Sequence, residues 1–201
     1  MSTATTTNEN QAENLSHPAD YTSEMLQLYS ENFNLREDPQ LLDVGPVCED
    51  NIRFFAKQLR RHYVCDMFNR LHRNRQNQLP SETLWNHLDY PYGSFHGIHL
   101  WDFIDRLDDK AARRMIERCH FMLKPQSMIL AITFDEHSPP SFIYSFVIRE
   151  NFRITFRPQH HLELPRYYRS NRELTSLMGR FRLVKSFLYR NGVREFLFQR
   201  G

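Results

Sequence analysis

The chain has 201 residues, 40% of them hydrophobic and 13% aromatic, with 16 Phe and a formal net charge of +2. That length suits one domain with a sizeable core, the aromatic content excludes a disordered chain, and so small a charge is no footprint for nucleic acid. Cys48, Cys65 and Cys119 are odd in number and lack CxxC spacing, so neither a disulfide framework nor a zinc knuckle is expected. With no secretory h-region and no apolar run long enough to span a bilayer, a cytoplasmic protein with reduced thiols is expected.

Residues 1–19, rich in Thr, Asn, Glu, Gln and Ser, bury too little apolar surface to offset ordering entropy and read as a disordered tail. Met25, Leu28, Tyr29 and Phe33 predict an amphipathic helix over Tyr21 to Phe33. Leu41 to Gly45 reads as a buried strand stopped by Gly45-Pro46. A helix follows, with Asp50 or Asn51 as its cap and Ile52, Phe55, Ala56 and Leu59 as its apolar face. His62 to Cys65 is a second strand, ending at Asp66. Pro80-Ser81-Glu82 opens a short helix with Leu84, Trp85 and Leu88, and Phe95 to Trp101 is the next strand. Asp108 caps a helix with Ala112, Met115, Ile116, Cys119 and Leu123 on one face, stopped by Lys124-Pro125. Ser127 to Phe134, nearly all apolar, predicts a strand buried on both faces. Pro139-Pro140 breaks the pattern, and Phe142 to Arg149 and Phe152 to Arg157 predict a hairpin or strands outside the main sheet. Ser170 to Glu173 matches a capping box, Gly179 ends that helix, and Asn191-Gly192 joins Phe181 to Tyr189 with Val193 to Gln199 as a hairpin. Alternating strands and helices predict an α/β fold with a mainly parallel sheet.

The order of these elements over residues 21–200 resembles the class I S-adenosylmethionine-dependent methyltransferases. Four segments carry the likeness. Leu41-Leu42-Asp43-Val44-Gly45 resembles the family's first strand and glycine loop. Asp66 stands at the end of the second strand, as the family's acidic ribose ligand does. Phe95 to Asp102, followed by Phe103 to Leu107, resembles the fourth strand and the segment after it. Leu123-Lys124-Pro125-Gln126-Ser127 resembles the turn into the fifth. The resemblance implies a Rossmann-like three-layer sandwich, a mainly parallel sheet with a terminal antiparallel strand pair, and an extra β-hairpin inserted at about 138–168 of a domain spanning 20–201. It implies S-adenosylmethionine as cofactor and, as cofactor-binding residues, Asp43, Gly45, Pro46, Val47, Asp66, Met67, Asp89, Trp101 and Asp102; it names no catalytic residue and no metal. Asp66 follows Gly45 by 21 residues, close to the offset of a ribose-binding carboxylate after a glycine loop.

The loop departs from the family's G-x-G-x-G pattern, placing Gly45, Val47 and Glu49 at the three positions. Val47 narrows the backbone's approach to a ligand, and Glu49 either occupies the space and charge of the cofactor or is a first-turn residue pointing to solvent. The third strand is unrecognisable; Asp89 is the nearest substitute for its acidic adenine contact. Leu88-Asp89-Tyr90-Pro91-Tyr92 superficially resembles the D-P-P-Y box of amino-group methyltransferases, with a simple turn as the alternative. Asp102 either meets substrate or caps the next turn. His137, His160 and His161 are candidate bases or plain surface histidines, and Cys48 a reactive or a packing thiol. Arg149, Arg153, Arg157, Arg166, Arg169 and Arg172, interleaved with Tyr167 and Tyr168, form either a recognition segment for an acidic partner or a solvated face. Two functions follow: methylation of an unknown small-molecule or protein substrate, with nucleic acid and membrane not expected as partners, or a catalytically inactive scaffold that works through partner contacts.

Overall fold

A computed structural model describes residues 18–137, 140 and 142–201. The expected tail up to His17 and the break at Pro139 lie outside the described residues. The elements run β1 (Tyr21–Thr22), α1 (Glu24–Phe33), β2 (Gln40–Asp43), α2 (Glu49–Phe55), β3 (Arg61–Val64), α3 (Met67–Gln76), a 3₁₀ segment (Ser81–Leu88), β4 (Phe95–Trp101), α4 (Asp109–Met122), β5 (Leu123–Phe134), β6 (Tyr144–Ile148), β7 (Arg153–Pro158), α5 (Asn171–Leu177), β8 (Phe181–Leu188) and β9 (Val193–Arg200).

The main sheet has the order β3-β2-β4-β5-β9-β8. The first four strands are parallel; β9 runs antiparallel to β5, and β8 to β9. Alternation along the strands divides the core. Leu42, Ile98, Ile129 and Phe196 pack with α3, α4 and α5 on one face. Leu41, Leu130, Ile132 and Leu197 pack with α1, α2 and the small sheet on the other, which makes the three-layer sandwich. The Ser81–Leu88 segment, where a third family strand would stand, is 3₁₀ helix anchored by buried Leu84, Trp85 and Leu88. The hairpin residues form a second sheet, β1-β7-β6, outside the main one. No described helix is long and apolar enough to cross a membrane.

Three local expectations are corrected. Tyr21 and Thr22 are strand, not helix: they pair with Ile154 and Arg153 of β7, and Ser23 caps α1 by accepting the Leu26 N–H. α2 begins at Glu49, ahead of Asp50 and Asn51, with Cys48 as a cap that makes no side-chain bond. Its buried residues are Asn51 and Phe55, while Ile52 is exposed, because the Asn51 amide binds β6 rather than the helix terminus. α4 ends at Met122, before Lys124-Pro125, because Leu123 is already extended and opposite Phe95 in the sheet.

Candidate functional site

In an open α/β sheet, ligands bind beyond the carboxyl ends of the strands, where the order reverses. Here the reversal lies between β2 and β4, and Asp43, Gly45, Trp101 and Asp102 meet there. Asp43 Oδ1 accepts the Gly45 N–H at 2.8 Å and the Trp101 Nε1–H at 2.7 Å. His62 Nε2 stands 3.7 Å from Asp43 Oδ2. Burial works to raise the Asp43 pKa, and His62, His99 and the Gly45 amide overcome it, so the group is held below its ordinary value. Burial pushes His99 down to about 3, which leaves it neutral at physiological pH.

Trp101 closes this corner. Its φ is +48°, a left-handed conformation uncommon for a bulky residue, at a bulge between His99 and Trp101 where the β4–β5 register shifts. The bulge turns the indole back onto Gly45: a Cβ on Gly45 would lie 2.4 Å from Trp101 Cδ1 and 2.5 Å from Nε1. Gly45 is thus required by close approach of an indole. Phe146 of β6 stacks on the indole, with centroids 5.2 Å apart and planes 12° apart. β6 is held there by Asn51, whose Nδ2 donates to the Phe146 carbonyl and whose Oδ1 accepts the Ile148 N–H, both at 2.8 Å.

The other expected residues divide. Pro46 and Met67 are buried and Val47 is exposed. Glu49 is exposed and pairs with Arg53 at 2.5 Å. Asp66 caps α3 by accepting the Asn69 N–H at 2.9 Å, and burial raises its pKa against hydrogen bonds from the Asn69 and Val47 amides. It lines a cleft of about 450 Å³ with Arg70, Asn74 and His87. Asp89 stands elsewhere, exposed and 3.6 Å from Arg118 of α4. Asp102 is buried and paired with Arg106, whose Nε lies 3.1 Å away. Cys48 is buried, and His137, His160 and His161 are exposed and are not gathered into a cluster. Among the described residues no group of three His, Cys, Asp or Glu could hold a metal.

The arginine segment also separates. Arg149 and Arg157 both reach Asp50 at 3.0 Å, and Arg153 reaches Asp20 at 3.0 Å, so these three tie down the small sheet. Arg166 donates to the carbonyls of Phe134 and Asp135, and Arg169 to those of Ile104 and Leu107 and to Asp109, pinning residues 159–170 across the strand ends. Beneath them Asp105 is fully buried, and burial beside Asp102 pushes its carboxyl up to about 7 against the opposing effect of Arg166, Arg106 and Arg194. No local pattern gives Asp105, Phe146 or Arg194 a role at this edge, and Asn51 reads only as a helix cap. Only Asn51 carried a signal, a polar residue one turn before buried Phe55.

Solved structures align with nearly the whole chain. A methyltransferase from Clostridium acetobutylicum that depends on S-adenosylmethionine is 9% identical with a TM-score of 0.56, over 87% of this chain and 92% of that one. One from Methanosarcina mazei is 17% identical with a TM-score of 0.52, over 89% and 97%. The fold is that of the class I S-adenosylmethionine-dependent methyltransferases. A third, the Burkholderia thailandensis 1,6-didemethyltoxoflavin-N1-methyltransferase with S-adenosylhomocysteine bound, is 15% identical with a TM-score of 0.52, over 88% and 78%. No protein-family model and no curated protein matches the sequence.

At this corner the Trp101 indole covers the Cβ side of Gly45, and Asp43 bonds to Gly45 and Trp101 within the chain.

Proposed function

We propose that this chain is a binding module built on the methyltransferase fold, one that does not hold S-adenosylmethionine at its first loop and is catalytically inactive. The observation that carries this reading is Trp101: a left-handed, buried indole bonded to Asp43 and stacked under Phe146 occupies the approach to Gly45. A strained residue persists only where its surroundings over-determine it, at a cost of about 1–3 kcal/mol. Here those surroundings are an insertion sheet clamped by Asn51. Calorimetric titration with S-adenosylmethionine and S-adenosylhomocysteine tests it. No saturable heat is expected from the wild-type protein, and saturable binding overturns the reading.

One observation favours the enzyme reading instead: Asp66 remains half-exposed beside an open cleft. In that case S-adenosylmethionine binds, Asp66→Ala weakens it by removing the acceptor for the ribose hydroxyls, and the substrate is a small molecule or protein still to be found.

A further inference from the structure

With the corner at β2 closed, the sheet's carboxyl edge still opens between α4 and α5, in a cleft of about 760 Å³ floored by Tyr167, Tyr168 and Arg169. We propose that this cleft binds a small organic phosphate with a flat aromatic body, an aryl or nucleoside phosphomonoester; the proposal rests on the binding-module reading and names its ligand class.

Three arginines and three carboxylates line the cleft, and the groups left without a partner among the described residues are arginines. Every acidic group of the cleft is engaged within the chain. Asp108 accepts the Ala111 N–H at 2.8 Å, Asp109 pairs with the buried Arg169 at 2.8 Å, and Glu173 accepts the Ser170 N–H and hydroxyl at 2.8 and 2.7 Å. Arg113 and Arg172, by contrast, are exposed and have no hydrogen-bond or ion-pair partner among the described residues. Two unpaired guanidinium groups lining one cleft match the charge and the several acceptor oxygens of a phosphomonoester, since the guanidinium fork bonds phosphate in pairs.

The tyrosines supply the flat surface. Tyr167 is fixed by its N–H to the Asp105 carbonyl at 2.7 Å. Tyr168 is partly exposed, with the guanidinium of Arg194 5.2 Å and that of Arg166 5.9 Å from its ring centroid. Arg169, next in the chain, is tied to Ile104, Leu107 and Asp109, so the floor is set before any ligand arrives and little ordering cost remains. An aromatic body lies against these rings while its phosphate reaches Arg113 and Arg172.

The test is titration of the full chain with phenyl phosphate, inorganic phosphate and phenol, followed by calorimetry and by the aromatic proton resonances of tyrosine. Phenyl phosphate binds saturably, inorganic phosphate more weakly, and phenol not at all. Each guanidinium contributes a charge-assisted bond, so R113Q and R172Q each weaken phenyl phosphate about tenfold, and Tyr168→Ala weakens phenyl phosphate but not inorganic phosphate. Both arginines are exposed and unpartnered, so their variants fold. Absence of saturable phenyl phosphate binding, equal binding of phenol, or unchanged affinity in the double variant overturns the proposal. The same sample titrated with S-adenosylmethionine reports on the closed corner separately. Cofactor binding with no phosphate binding refutes both readings, phosphate binding alone supports both, and phosphate binding beside cofactor binding refutes only the inactive reading.

Discussion

Gly45→Ala separates a plugged corner from an open one. The added methyl would stand 2.4 Å from Trp101 Cδ1, where ordinary contact begins near 3.4 Å, so the indole must retreat by 1.0 Å. It has nowhere to go: Phe146 stacks on it at 5.2 Å, His99 packs edge-on at 4.8 Å, and its Nε1–H is committed to Asp43 at 2.7 Å. Overpacking costs about 1–3 kcal/mol, and weakening a buried bond to a carboxylate about 1.5–3 kcal/mol more. Together these make about 2.5–6 kcal/mol out of a total stability of about 5–15 kcal/mol. For a urea m-value of about 2 kcal/mol/M, the midpoint falls by about 1.3–3 M. In an open cofactor cradle the same methyl would project into a ligand's space, leaving stability nearly unchanged and lowering only ligand affinity. Urea unfolding followed by tryptophan fluorescence decides between them, and a midpoint within about 0.3 M of wild type would refute the plug.

Three further perturbations probe the supports. Asn51→Ala leaves the Phe146 carbonyl and the Ile148 N–H without partners; a loss of about 2–4 kcal/mol is expected, with faster amide exchange across Tyr144–Ile148. Unchanged exchange there would mean that β6 is held by other contacts. Asp105 has a folded pKa of about 7, above the ordinary carboxyl value, so the folded state binds its proton more tightly than the unfolded state. Its contribution is greatest below about pH 4 and is lost as pH rises to about 7. The stability difference between wild type and Asp105→Asn therefore declines from pH 5 to 7 and levels above, and parallel profiles would refute the assignment. His99 works in the opposite sense and cancels in that difference. Glu195→Ala strips the acceptor from the Tyr21, Ser23 and Tyr189 hydroxyls, at 2.7, 2.8 and 2.9 Å. A loss of about 3 kcal/mol is expected in chemical denaturation, and a loss below about 1 kcal/mol would show that water replaces the carboxylate.

Local pattern made most elements legible. The nearly all-apolar run ending at Phe134, the Asp108 cap and the Ser170–Glu173 capping box are written within a few residues and stand where expected. The expectation failed where a distant partner competes with local preference. Asn51 reads as a helix cap but is taken by β6, 95 residues on. Tyr21 reads as the start of a helix but pairs with β7 and bonds to Glu195.

The sequence by itself determined the order of elements, the main helix caps, and an altered loop at Val47 and Glu49. Periodicity and capping act over one or two turns and need no knowledge of the rest of the chain. What fills the corner above that loop was decided only by tertiary structure. Glu49, suspected of occupying the space, turns to Arg53 and solvent. Trp101, expected among the cofactor's contacts, bonds within the corner, because a bulge sends its indole to Asp43, 58 residues away. Side-chain direction at a bulge and stacking by an inserted strand depend on which distant segments meet, and no local pattern encodes that meeting.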